Sequence, residues 1–446
     1  MDKGETPREY QAFIHREKSV THPPTSSVQT PNSENSELRT LSSALSPSSL
    51  FTRDFTLLCL VTSCYFFSFF FFFPTLPFYV KHLGGQEADA GFLIGISSLV
   101  AFSIKPLAGR WIDRYGRVLL MNLGIGLFAW TAFLHAWALS LGFLFVLRVL
   151  YGIALGCFTT ASSAYLADVA PITRRGEAAS YWGLASPLAM GIIPPLALGL
   201  MRSSRLHLVE TSLVSTLPGF NTAVVSLENF TLLFLTAGGI AVVACVLSCG
   251  MHERHSPSQI VRRPSLFARE ALLPMMVNMF LYLTFTSYTT FLPLYARTLG
   301  MGNAGWLYST YAIALLSTRL TAAKIGDQYG RAAVIIPGLI AVLLALLTLG
   351  FAPHSSALYV GVSLYGLGFG LAQPGLSAFT IDRLSPERRG VGMSTYSQGV
   401  ELGMGLGGIL MGFIATHAGF TTMYLCGGVC VATALTIFVL GNRAAS

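Results

Sequence analysis

Charge is what this sequence has least of. Only 11% of its 446 residues are Asp, Glu, Lys or Arg, and only twenty are acidic. A soluble domain usually carries about 25%, so an ordinary water-soluble fold is excluded. The parts for nucleotide chemistry are missing as well: no G-x-x-x-x-G-K-[ST] loop occurs. No Ser/His/Asp set and no cluster with metal-ligand spacing marks an enzyme. The seven cysteines (Cys59, Cys64, Cys157, Cys245, Cys249, Cys426, Cys430) all fall in apolar runs. Two pairs have i,i+4 spacing, but no His or carboxylate lies within a turn of either. They read as small buried hydrophobes, with no disulfide framework, no metal and no cofactor.

What is abundant is apolar length. Hydrophobic residues make up 53% of the chain and the mean hydropathy is +0.61. About 20 apolar residues cross a bilayer core, and twelve such runs can be placed: 55–80, 90–109, 118–139, 141–167, 178–200, 230–250, 270–296, 304–322, 333–352, 356–381, 391–415 and 420–441. Backbone polar groups in lipid need internal partners, so these runs are expected to be helices. Residues 21–50 differ, with seventeen Ser, Thr or Pro and no aromatic. Such a segment cannot bury a core. Residues 1–53 therefore read as a disordered cytoplasmic tail and not as a signal peptide. The remainder divides into a six-helix bundle over 54–250, a cytoplasmic linker over 251–269 and a second six-helix bundle over 270–446.

Basic residues orient the spans. With the N-terminus inside, the inward loops carry Arg110, Arg114, Arg117, Arg174, Arg175, Arg254, Arg262, Arg263, Lys324, Arg331, Arg383, Arg388 and Arg389. The outward ones carry only Lys81, Arg202, Arg205 and Arg297. This asymmetry predicts both termini in the cytoplasm of a cell membrane. The net charge of +8 then reflects topology and attraction to anionic lipid, not a nucleic-acid partner.

The chain repeats itself. GRWIDRYGRV (109–118) is echoed by AKIGDQYGRA (323–332), so that Asp113, Tyr115, Gly116 and Arg117 recur 214 positions later as Asp327, Tyr329, Gly330 and Arg331. Lys105 meets Arg319 at that offset, Tyr151, Gly152 and Gly156 meet Tyr365, Gly366 and Gly370, and Asp168, Arg174 and Arg175 meet Asp382, Arg388 and Arg389. LPFYVKHLG (76–84) meets LPLYARTLG (292–300) at offset 216. Six spans occurring twice in parallel is a transporter architecture.

On these residues the chain resembles the major facilitator superfamily from about 55 to 441. GRWIDRYGR is similar to that family's G-x-x-x-D-R-x-G-R loop between helices 2 and 3. IGDQYGR is its weaker copy, RVLYGIALG from Arg148 is similar to the helix-4 motif, and PTLP (74–77) resembles the helix-1 ending of many bacterial exporters. The resemblance implies an all-α membrane fold of twelve helices in two pseudo-symmetric halves, monomeric, moving a small molecule without enzymatic chemistry. It also implies that the repeated loop closes the cytoplasmic side, through Gly109, Arg110, Asp113, Arg114, Gly116 and Arg117 and, in the second copy, Asp327, Gly330 and Arg331.

Glu401 is the one acid placed deep in a span, and a lone carboxylate there needs a partner or a proton. It is the expected proton-coupling residue. Arg148, which must face the bundle, is expected either to attract an anionic substrate group or to couple to protonation through Glu401, and the resemblance implies a role for it in proton transfer. Neither recurs: Pro187 and Val362 take the repeat positions. Lys105 and Arg319 read as structural cations that snorkel to the interface. The polar span residues Asn278, Tyr282, Gln373, Tyr396 and Gln398 are cavity candidates. Of the aromatics in YFFSFFFFFP (65–74), most are expected against lipid or neighbouring helices. His135 is expected at an interface, and Pro187, Pro194 and Pro195 predict a bend. The expectation is proton-coupled export of a drug or metabolite. The alternatives are uptake of a sugar, organic acid or peptide-like nutrient, or a sensor without transport. Two departures count against export: PPLALG is a degraded form of the exporters' helix-5 G-P-x-x-G-G, and helix 1 lacks an embedded acid.

Overall fold

Short polar side chains start the first helices. Thr52 Oγ1 accepts from Phe55 N at 3.3 Å, Asp89 Oδ2 accepts from Gln86 N at 2.7 Å, and Ser140 Oγ accepts from Phe143 N at 3.2 Å, each satisfying a backbone donor that a helix start leaves free. The computed structural model describes residues 50–171, 174–203, 230–253, 268–385 and 388–443. The expected tail (but for its last four residues) and most of the linker lie outside them, as do Arg205, Arg254, Arg262 and Arg263.

The described residues form α1 (Arg53–His82), α2 (Glu87–Tyr115), α3 (Arg117–His135), α4 (Leu141–Val169), α5 (Arg175–Met201), α6 (Phe230–Ser248), α7 (Arg269–Thr298), α8 (Gly305–Tyr329), α9 (Ala332–Gly350) and α10 (Ser355–Asp382). A last element, Arg389–Arg443, leaves helical geometry at Gly419 (φ 79, ψ 170), which divides it into α11 (389–418) and α12 (420–443). Ten of these elements are long and apolar enough to cross a membrane, counting Arg389–Arg443 once. α8, whose later half carries Arg319, Lys324 and Asp327, packs among them against α5, α9 and α10.

Proline and glycine set the irregularities. α5 interrupts its α-helix at Gly183 and Leu184, four residues ahead of Pro187, while Pro194 and Pro195 continue inside it. The interruption thus falls one turn before the first of the three prolines. In α7 a π turn covers Ser287–Phe291. Pro293 lacks the N–H that would bond the Thr289 carbonyl, and Tyr308 Oη donates to that carbonyl at 2.7 Å instead.

α1 packs on α2, α4, α5, α6 and the π turn of α7. Of the two places expected for its phenylalanines, lipid or neighbouring helices, the structure shows the second: Phe69, Phe70, Phe71, Phe72 and Phe73 are all buried in the protein. His135 is likewise not interfacial. It is fully buried, 4.9 Å from the Phe72 ring and 5.5 Å from that of Phe234, with Nδ1 2.6 Å from the Thr131 carbonyl.

Among the described residues the two most extensive contacts between the first six helices and the last six are α2 on α11 and α5 on α8, with α1 also meeting the π turn of α7. Each has a close-packed stretch near the end opposite the basic loops. There Gly91 and Gly95 meet Gly405, Gly408 and Gly412. On the other side Ser309 Oγ donates to the Gly191 carbonyl at 2.6 Å and Asn303 Nδ2 to that of Pro195 at 3.1 Å.

Candidate functional site

Following α2 and α11 from the glycine seam toward the basic end leads to a buried ion pair. Lys105 Nζ lies 2.6 Å from Glu401 Oε1, with the carboxylate side chain only 8% exposed. The expectation that Lys105 reaches the interface is therefore corrected. The apolar run ends near residue 109, but the helix continues to Tyr115. Lys105 is ten residues from its end, about 15 Å at 1.5 Å per residue, and it turns inward because an anion waits there. Sequence reasoning found Glu401 and missed its partner. The available signal was that Lys105 is the one cation within the second apolar run.

The α5–α8 contact has a different centre. A cavity of about 190 Å³ opens between α5, α7, α8 and α10, lined by Ser186, Pro187, Tyr282, Arg319 and Gln373 among others. Arg319 also turns inward, correcting the snorkelling expectation for it. Its Nη1 donates to the Gly183 carbonyl at 3.5 Å, the very carbonyl that Pro187, lacking an N–H four residues on, cannot use.

Of the five polar span residues, the structure brings Tyr282 and Gln373 to this cavity. Asn278 and Tyr396 instead hold helices together. Tyr396 Oη donates to Asn278 Oδ1 at 3.4 Å and to the Gln373 carbonyl at 3.2 Å, and Asn278 Nδ2 to the Tyr396 carbonyl at 3.5 Å. Gln398 is buried, with Oε1 lacking a partner.

Arg148 is 3% exposed and faces the bundle. Its guanidinium carbon sits 5.1 Å from the Phe72 ring centroid and 4.6 Å from that of Tyr151, while Nε and Nη2 have no hydrogen-bond partner. It borders a crevice of about 10 Å³, with Ser97, Ser98 and Met404, space for about one water. Its ring partners are cation–π contacts. The structure does not set it on Glu401, whose cation is Lys105.

At the basic end, the expected loop is mostly helix: Gly109, Arg110, Asp113 and Arg114 belong to the last turns of α2, and Gly116 makes the break. Arg117 pairs with Asp168, and at the 214 offset Arg331 Nε pairs with Asp382 Oδ2 at 2.7 Å. The repeat thus carries one ion pair twice. Around it the copies differ. Arg331 also holds Asp327, at 2.5 Å. Asp113 is exposed and makes no ion pair among the described residues. Two flanking carboxylates hold the Arg331 guanidinium above its usual proton affinity.

Gly116 (φ 93, ψ 164) and Gly330 (φ 86, ψ 157) sit in a backbone region that only glycine occupies readily. Gly116→Ala and Gly330→Ala are each expected to cost about 1–3 kcal/mol. Gly116→Ala should be the worse, because its Cβ would lie 2.7 Å from Glu253 Oε2, which accepts from Val118 N at 2.8 Å, whereas nothing lies within 4 Å of a Cβ at 330. Thermal melting of the two variants measures the difference. Glu253 was not singled out from sequence, since nothing local ties it to the start of α3.

Comparison with known proteins now adds to this geometry. The family described as the Major Facilitator Superfamily matches residues 58–304 and 275–445. The chain is 24% identical over 369 residues to the "Staphylopine export protein" of Staphylococcus aureus (strain Mu50 / ATCC 700699), covering 80% of this chain and 88% of that one. Among solved structures, it is similar to a bacterial homologue of the human lysosomal transporter Spinster, with a TM-score of 0.73 and 14% identity over 87% of this chain and 96% of that one. It is also similar to a D-xylose-proton symporter, with a TM-score of 0.69 and 16% identity over 87% and 97%.

Proposed function

The chain belongs to the major facilitator superfamily, and from that membership we propose that it is a proton-coupled exporter of a small organic compound, working by alternating access. The observation that carries the reading is the Lys105–Glu401 pair, buried where the first six helices meet the last six. A carboxylate in apolar surroundings is tolerable as an ion beside Lys105 or as a neutral acid, so proton arrival and loss of the pair are linked. The same pair bridges α2 and α11, so its making and breaking acts on the contact that must change when the halves rock.

In this reading all twelve helices cross the plasma membrane, residues 54–250 and 270–446 are the two rocking bodies, and the basic end faces the cytoplasm. The glycine seam then closes the outside. An Asp113 without an ion pair leaves the cytoplasmic clamp released, so this is an inward-facing arrangement. Asp113 re-engages a neighbouring helix when the inside closes, and Asp327–Arg331 is the second copy of the clamp. Arg148 supplies a fixed positive charge in the first half. The export relative supports outward direction, and the symporter shares the fold alone.

The test compares metabolites of cells and medium for cells making the native chain or Glu401→Gln at equal membrane levels. A compound enriched in the medium with the native chain alone is the expected result. Enrichment inside the cells would reverse the direction. Equal transport by both would remove Glu401 from coupling.

A further inference from the structure

The two most extensive contacts between the six-helix groups, α2 on α11 and α5 on α8, are related by the sequence repeat, yet only one is neutralised. Lys105 and Arg319 stand at the 214 offset, and so do Pro187 and Glu401. In the structure these four residues meet as two pairs: Lys105 on Glu401 across α2 and α11, and Arg319 with Pro187 at the cavity across α8 and α5. Where symmetry would place an acid opposite Arg319, the chain has proline. Arg319 makes no ion pair among the described residues, and its one hydrogen bond, to the Gly183 carbonyl, is at the long limit of 3.5 Å. Among the described residues no acidic side chain lines the cavity; the other polar groups there, including Tyr282, Tyr311, Gln373 and Ser186, are neutral. Arg148, which borders a separate crevice, is a second buried cation, with Nε and Nη2 unsatisfied.

A guanidinium inside a membrane protein requires an anion or several acceptors. Arg319 has one weak acceptor and an adjoining space. We propose that the transported compound is an organic anion whose carboxylate binds Arg319 in the cavity between α5, α7, α8 and α10, taking the place that the Glu401 carboxylate takes beside Lys105. Arginine suits this role because its planar fork meets a carboxylate with two parallel N–H donors. Pro187 serves twice: it withholds the internal acid, and it frees the Gly183 carbonyl that steers the guanidinium. Tyr282 and Gln373 provide hydroxyl and amide groups for the rest of the ligand. This inference rests on the transporter reading above.

The full chain in lipid nanodiscs is the material for the test. The probes are mono-, di- and tricarboxylic acids, each matched with its amide, and binding is read by equilibrium dialysis and by the shift in melting temperature. At least one acid should bind and its amide should not. Arg319→Gln should weaken that acid by about 10–100-fold, the range for a lost charged hydrogen bond, and Arg319→Lys by less. Pro187→Glu should abolish binding by supplying Arg319 with an internal partner, and should itself melt no lower than the native chain, which covers the case in which Arg319→Gln fails to fold. Binding by no acid, equal binding of acid and amide, or an unchanged affinity in Arg319→Gln would each overturn the proposal. Flux of the same compounds in proteoliposomes separates the two levels. An acid that binds through Arg319 but is not moved stands against the transporter reading and leaves the site intact. A neutral or cationic compound moved equally well by Arg319→Gln stands against the site and leaves the transporter intact.

Discussion

Lys105→Met and Glu401→Met, made singly, should each destabilise the protein by about 3–5 kcal/mol, and the double variant should melt close to the native chain. Removing one partner of a buried ion pair leaves the other charge uncompensated, whereas replacing both with apolar side chains of similar size is often neutral or better. The geometry here is of that kind, a 2.6 Å contact with a carboxylate side chain 8% exposed. Proton-driven flux should behave differently. It should be absent in both single variants and remain absent in the double, because the methionine pair restores packing without a group that exchanges a proton. A pair that served only to hold α2 on α11 would let the double variant recover transport along with stability. Measuring melting temperature and flux on the same three preparations therefore separates a coupling role from a structural one. Recovery of both would end the coupling role assigned to Glu401.

Much of this site is legible from the order of residues, and the part that is not has a definite cause. The spans are readable because lipid demands long apolar helices, and the observed ends differ from the apolar runs mainly where helices project beyond them, as α2 does to Tyr115 and α8 to Tyr329. That projection is what hid Lys105 and Arg319. Judged against runs ending near 109 and 322, both looked close enough to an interface to escape, and only the packing shows an anion beside one and a cavity beside the other. Glu401 was readable because a single acid deep in an apolar stretch needs an explanation wherever it points. The five polar span residues were not separable, since facing the cavity or a neighbouring helix depends on rotation about the helix axis. Tyr282 and Gln373 face one way and Asn278 and Tyr396 hydrogen-bond across helices. The phenylalanine run was left open between lipid and neighbouring helices for a related reason. A helix inside a bundle has no obligatory lipid face, and α1 lies among five neighbours. The repeat carried the most information. It set Arg117 and Asp168 in register with Arg331 and Asp382, though that they pair is seen only in the structure, and one of its broken correspondences, Pro187 for Glu401, marks where the two contacts diverge.

Gly408→Val should hold the protein away from the arrangement described here. A Cβ at Gly408 would lie 2.5 Å from the Gly91 carbonyl oxygen and 2.8 Å from the amide nitrogen of Gly95, and one at Gly95 would lie 2.5 Å from the Gly405 carbonyl oxygen. These neighbours are backbone atoms, so they have no rotamer by which to yield, and α2 and α11 must separate. Overpacking of a tight contact costs about 1–3 kcal/mol, which corresponds to a shift of about 5- to 150-fold in a two-state population. The cost falls only on states in which the seam is closed. Because the seam lies at the end opposite the basic loops, the variant should favour opening there. Spin labels at Glu87 and Thr416, where Ala88 N now donates to Thr416 Oγ1 at 2.8 Å, report that opening as a longer distance. Transport should slow even though Glu401 and Lys105 are intact, since a cycle that cannot close one end cannot turn over. Gly109→Val provides the contrast, because nothing lies within 4 Å of a Cβ there and the label distance should stay at its native value. An unchanged distance in Gly408→Val would mean that the close approach of α2 and α11 is not the contact that opens.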